Sequence, residues 1–167
     1  MADSLNDVFQ GAIQVKMNYT RLDTQEVGYA QNKKNSTSLY SIDDGTGDGQ
    51  AETVYAAKRT IPANSVDSVD LLNLTQNALE VSIDFAFSKV RVFRCVNLSE
   101  TSGEYLGFGA SADDPNVFAV AVGPESEALL INSKDGYDVG SSNNVLRTYN
   151  PSSVSVSYEL YIIGSPA

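Results

Sequence analysis

The chain has 167 residues, 42 % of them hydrophobic and 19 % charged, with a formal net charge of −10; that is one domain's worth, able to bury roughly 70 % of its unfolded surface. The acidity opposes contact with nucleic acid and anionic membranes, no stretch is apolar for the roughly 18 residues of a helical span, and the start MADSLNDVFQ carries no secretory signal pattern. Histidine and tryptophan are absent and Cys95 is the single cysteine, which excludes Ser–His–Asp and Cys–His catalysis, indole stacking on sugars and any intrachain disulfide.

In chain order, Ala12 to Tyr19 alternates Ile13, Val15, Met17 and Tyr19 with polar residues, the period-two pattern of a strand. Arg21 to Gln50 is polar and ends in DDGTGDG, which reads as a flexible linker. Residues 1–50 are therefore expected to form an extended arm that reaches away from a body at 51–167. From Ala51 onward the strand signals are closely spaced, as in a sandwich or barrel. They run Val54 to Thr60, Val66 to Leu72, Leu79 to Phe87, Val90 to Val96, Tyr105 to Ala110 and Val117 to Val122. Ala128 to Ile131, Tyr137 to Val139, Asn144 to Tyr149 and Ser153 to Ile163 complete the set, with Gly164, Ser165 and Pro166 expected to stop the last strand.

Turn chemistry separates them, including Ile61-Pro62-Ala63-Asn64, Asp113-Asp114-Pro115-Asn116 and Lys134-Asp135-Gly136. Val90, Val92 and Val96 on one face and Phe93 and Cys95 on the other mark a central strand packed on both sides, or an intermolecular contact. About eight strands in two sheets make a jelly-roll-like sandwich the most economical all-β architecture. Its expected core is Ile83, Phe85, Val92, Phe118, Val120, Leu130, Val156, Tyr158, Leu160 and Ile162.

Candidate chemistry is sparse. Asp44, Thr46, Asp48 and Gly49 occupy calcium-loop positions, but Tyr55 stands where a bidentate carboxylate is required, so no metal is expected there. Glu125 and Glu127, two apart, share a face at a strand start and read as surface acids rather than a hydrolytic pair. Lys33-Lys34 is too small a basic patch for nucleic acid. Cys95, between apolar neighbours, reads as a buried inert thiol. The triplets at Asn18, Asn35, Asn73 and Asn97 read as chance glycosylation patterns, and Gly107-Phe108-Gly109 is no phosphate loop. No catalytic residue and no cofactor is expected.

The order of GTGDGQAETVYAAKRTIPANSVDSVDLLNL, VSIDFAFSKVRVFRCVNLS, EYLGFGA, AVAVGPESEALLINSKDGYDV and NVLRTYNPSSVSVSYELYIIG resembles a family of tailed-phage virion proteins with β-sandwich folds. Asp67 and Asp70-Leu71-Leu72, the strand Val90 to Asn97, the Gly107 to Ala110 hairpin, Asp135 to Val139 and the closing Ile162 to Gly164 carry it over about three-quarters of the chain. The arm before Gly45 and the stretch Glu125-Ser126-Glu127 depart from the pattern. The resemblance implies a non-enzymatic virion protein made in the host cytoplasm, most like a capsid decoration (cement) protein. It would be a homotrimer that bridges major capsid proteins. A spike or fibre base, or a carbohydrate-binding module stacking sugar on Tyr105, Phe108, Tyr137 or Tyr149, is the alternative, with an acid-dependent hydrolase last. The arm's apolar residues Val8, Phe9, Ile13, Val15, Met17 and Tyr19 are expected to dock on a partner, because the arm is too polar to build its own core.

Overall fold

In a computed structural model, residues 11–25, 28–78 and 81–167 are described, with side chains from residue 38 onward apart from those at 77, 78, 81–83, 85 and 118. Every regular element among them is a strand. The body consists of β4 (Thr53–Ile61), β5 (Ser65–Asp70), β8 (Phe87–Asn97), β9 (Leu106–Ala110), β10 (Phe118–Val122), β11 (Glu127–Ile131), β12 (Tyr137–Asp138), β13 (Val145–Asn150) and β14 (Val156–Pro166). One sheet has the order β11-β8-β14-β4, with β12 continuing the β11 edge along β8; the other has the order β10-β9-β13-β5. β4 pairs antiparallel with β14, β5 with β13, β8 with β11 and β9 with β10. The chain is thus one long antiparallel hairpin rolled across two sheets, which is the jelly roll.

Between β5 and β8 lies a small hairpin, β6 (Leu74–Ala78) with β7 (Val81–Phe85). The single strand expected over Leu79 to Phe87 is therefore β7, a break at Ala86, and the first residue of β8. The chain changes partner at that break: Phe87 donates its N–H to Leu71 O at 2.9 Å, while Ala86 O accepts from Ala167 at 2.9 Å. β6 escaped the sequence reading because LTQNA has no apolar alternation.

Strand β14 shows why alternation was so legible in this chain. Val156, Tyr158, Leu160 and Ile162 are each at most 1 % exposed and meet Tyr55, Ile61, Val69, Leu106 and Phe108 between the sheets. Val154 falls outside the strand and is 45 % exposed. The strand does not stop at Gly164; it continues to Pro166, because β8 stays beside it through two bulges. Val120 and Leu130 pack against the same core while remaining partly exposed. Ile83, Phe85 and Phe118 lie outside the described side chains.

The bulges correct the assigned faces of β8. Ile163 sits opposite Val92 and Gly164 opposite Val90, so Arg91 is the extra residue, and Ser88 is passed over in the same way. Each bulge shifts the alternation by one residue. Phe87, Val90 and Cys95 consequently join the main core, with Phe93 packed against it, while Val92 is buried with Ile42 and Ala51 in a second cluster. Val90 and Val92 do not share a face.

Polar side chains also cross the sandwich, and one of these bridges is charged. Asp67 on β5 accepts from Arg59 Nη2 at 2.7 Å and from Arg59 Nε at 2.5 Å, and from the Tyr158 hydroxyl at 2.9 Å. Arg59 and Tyr158 belong to the other sheet, so this bidentate pair ties the two layers with defined geometry. Burial would raise the Asp67 carboxyl, but the hydrogen bonds from Arg59 and Tyr158 outweigh it and hold the group below its usual 3.8.

Two outcomes follow from this packing. Leu160→Ala should cost about 3 kcal/mol in urea unfolding, whereas Val154→Ala should stay within about 0.5 kcal/mol. The depressed Asp67 carboxyl contributes stability above its unfolded value, and this is lost as pH falls through the lower folded value. Asp67→Asn should therefore lower the unfolding midpoint clearly at neutral pH and progressively less below about pH 4. An equal deficit at both pH values would show that the pair carries no charge-dependent stability.

Candidate functional site

The N-terminal segment is built from β1 (Gly11–Gln25) and β2 (Gly28–Asp44), paired antiparallel without interruption from Gly11↔Ile42 to Gln25↔Gly28. The polar stretch after Tyr19, expected to be an extended arm in which no further strand was named, holds the rest of β1 and all of β2. Its backbone groups find partners in the hairpin ladder although its sequence has no apolar alternation. Of the expected docking residues, Val8 and Phe9 lie outside the described residues. Ile13, Val15, Met17 and Tyr19 stand at alternate positions of β1, in register with Tyr40, Ser38, Ser36 and Lys34.

The root of this hairpin is the most constructed polar site among the described residues. β2 ends against β3 (Gln50–Ala51) in a short parallel pairing, Asp43 with Gln50 and Asp44 with Ala51. The loop between them, expected to be flexible, is closed by its own bonds: Asp43 N–H to Gly49 O at 3.1 Å and Gln50 N–H to Gly47 O at 3.1 Å. Gly47 N–H also donates to Gln50 Oε1 at 2.8 Å. Gly49 N–H reaches across to Lys134 O at 3.0 Å, joining the loop to the turn before β12.

Arg91 holds all of this together. It is 0 % exposed and is the largest fully buried side chain among the described residues. Its Nε donates to Gln50 O at 3.1 Å, Nη1 to Lys134 O at 2.7 Å and Nη2 to Gly47 O at 2.8 Å. The planar guanidinium thus joins three carbonyls from two loops in fixed directions, which no other side chain can do. The backbone is shaped for it. A Cβ on Gly136, at φ +74°, would lie 2.7 Å from Arg91 Nη1, and a Cβ on Gly164 would lie 2.1 Å from Lys89 O at the bulge. Beside the guanidinium, Ile42, Ala51 and Val92 form the second apolar cluster, with Leu129, Ile131 and Ile163 packed around it. Sequence reasoning passed over Arg91; its signal was a charged residue inside an apolar run read as buried on both faces.

The other candidate positions weighed in the sequence lie apart from this site. Among the described residues no three His, Cys, Asp or Glu side chains converge to hold a metal ion. Tyr55, at the twelfth calcium-loop position, is 4 % exposed, and its hydroxyl accepts from Arg59 Nη1 at 3.2 Å. Glu125 and Glu127 do not share a strand face. Glu125 sits in a turn at φ +50°, while Glu127 opens β11 and pairs with Arg94 at 2.6 Å. Burial pushes the Cys95 thiol up to about 12, leaving it no thiolate at neutral pH.

Of the aromatics considered for sugar stacking, Phe108 is fully buried, and Tyr137 leans on Phe93 with ring centroids 5.8 Å apart. A cleft of about 250 Å³ opens beside Tyr137, lined by Leu71, Phe93, Leu130, Val139 and Leu146 together with the polar side chains of Asp138 and Asn143. Among the described residues no helix is long and apolar enough to cross a membrane.

Comparison of the chain with protein-family models, with curated proteins and with solved structures returns no match.

Arg91→Met should cost about 3 kcal/mol, because it removes three hydrogen bonds at once and leaves their carbonyls, from two loops, without their partner. Limited proteolysis should then open the chain near 45–50 while the β-sheet circular-dichroism spectrum persists. Arg91→Lys should restore little of the loss, since an ammonium cannot match the three directions. Full rescue by Lys would reduce the site to a simple charge.

Proposed function

We propose that this chain is a non-enzymatic structural protein of a tailed-phage virion that decorates the capsid and bridges neighbouring capsid subunits through its N-terminal hairpin. The observation that carries the reading is how the hairpin is made and held. Its strands of 15 and 17 residues are longer than any in the body, where β8 and β14 reach 11. A straight strand of that length spans roughly 55 Å, far more than a two-stranded ribbon can stabilise alone in water. A ribbon of this length gains most by laying its face on a partner, and the Arg91 clamp fixes the point from which it leaves the body.

Supporting this reading are the jelly-roll topology, the acidic body and the resemblance in the order of sequence pieces. The acidity keeps such a protein off packaged DNA and keeps decorated particles apart. Its partners in this role are the major capsid protein and other copies of the chain, at the outer surface of the virion.

The test is decoration of purified particles that lack this protein. The full chain should bind and raise the temperature at which the particles rupture. A variant lacking residues 1–40, retaining the root at Ile42 and a β-sheet spectrum, should bind more than about tenfold more weakly. Equal decoration by the two would remove the hairpin from the mechanism, and no binding by the full chain would refute the reading itself.

A further inference from the structure

The sandwich has four edges, and three are charged in the manner that deters strand addition. β4 carries Lys58 and Arg59, β5 carries Asp67 and Asp70, and the edge formed by β11 and β12 carries Glu127 and Asp138. β10 (FAVAV) carries no charge and no proline, and pairs on one side only, with β9. Its approach is bare as well. Val117 is 61 % exposed and Ala119 and Ala121 are exposed. Beside those alanines stand Gly107, paired with Ala121, and Gly109, whose added Cβ would lie 3.0 Å from that of Ala119. Among the described side chains of β10, the exposed ones are the methyls of Ala119 and Ala121.

Charge selects what fits there. Residues 11–42 hold four cations (Lys16, Arg21, Lys33, Lys34) against two acids (Asp23, Glu26), a net +2. Residues 43–167 hold seven cations against seventeen acids, a net −10, and Asp3 and Asp7 in the first ten residues bring the whole chain to −10. The hairpin is a cationic stretch on an anionic protein; the body's Arg59, Lys89 and Arg94 are already paired with Asp67, Asp138 and Glu127. Its register sets Lys34 opposite Tyr19 and Lys33 opposite Thr20, next to Arg21, so the positive charge gathers along the hairpin's outer half. β10 is flanked by exposed Asp113 and Asp114 before it and exposed Glu125 after it. β1, at the end of its sheet, has one side of its ladder unpaired.

We infer that the β10 edge receives the β1 edge of the hairpin from a second copy of this chain. β1 adds a strand to the β10-β9-β13-β5 sheet, and its cations meet the acids at either end. The contact is heterologous, arm to edge, so repetition gives closed rings or open chains rather than a two-fold dimer. This inference rests on the reading of the hairpin as a docking arm, but not on any capsid being the target.

The experiment measures self-association of the purified full-length chain, without particles, by sedimentation at low and at physiological salt. Two double variants accompany it, each checked for an unchanged β-sheet spectrum. Ala119→Lys with Ala121→Lys spoils the edge, and Lys33→Glu with Lys34→Glu spoils the arm. The wild type should associate more strongly at low salt, and each variant alone should weaken association about tenfold or more. Mixed together, the two variants should form a one-to-one complex and grow no further, since each retains the half that the other lacks. Loss in the edge variant alone would indicate edge-to-edge pairing, and loss in the arm variant alone arm-to-arm pairing; either overturns the inference. A wild type that stays monomeric to about 1 mM overturns it too. If particles are still decorated by an edge variant that no longer self-associates, the capsid reading stands; if neither activity is seen, both fall.

Discussion

The burial of one guanidinium governs the geometry of this molecule. A charge taken out of water is tolerated only where it finds hydrogen-bond partners, and Arg91 finds a carbonyl at each of its three guanidinium nitrogens. To reach them, Arg91 must leave the regular alternation of β8, and the bulge that lets it do so returns Val90 to the main core. The same bulge draws β14 so close that position 164 has room only for glycine. Loop 45–50, the turn at 132–136 and the end of β14 are therefore one unit. The first residues of the body and the last strand of the chain are fixed by the same side chain.

That unit ties the root of the hairpin to an acidic jelly roll. The main core between the sheets does not touch the arm root. It is assembled by the alternation of β14 and β4 and pinned across the layers by Arg59, Asp67 and Tyr158. The arm root has its own apolar cluster at Ile42, Ala51 and Val92 on the far side of the sheet. β8 serves both, because its bulge turns Val90 one way and Val92 the other. Loss of the clamp would leave the sandwich standing and release the arm.

What could be read in advance follows the same division. Strands that bury one face declared themselves by period two: β14, β4, β9 and β13 appear within a few residues of where alternation put them. β2 and β6 did not, because a polar strand in a two-stranded ribbon leaves no hydrophobic record and is specified only by its ladder. Bulges are equally silent, since inserting one residue changes which neighbours share a face without changing composition. That is why Val92 was assigned to the wrong core. The arm residues Ile13 to Tyr19 were legible as a strand, whereas the root that holds the arm was not. Arg91 looked like a charge in an apolar run, and only the carbonyls brought to it from positions 47, 50 and 134 reveal its purpose.

Electrostatics gives the body and the arm opposite tasks. At net −10, two copies repel in most orientations, and at physiological ionic strength that field fades within about 8 Å. Beyond this range the copies ignore one another; inside it, an approach that brings a hairpin near acids lowers the energy. An uncharged edge placed where that approach ends converts a weak, screened attraction into backbone hydrogen bonds, which salt does not erase. Charged edges elsewhere prevent the same conversion at the wrong place. The sparse chemistry of this chain is then consistent with its architecture. Its specificity lies in which strand edge is left bare and in which segment carries the opposite sign, and neither requires a reactive side chain.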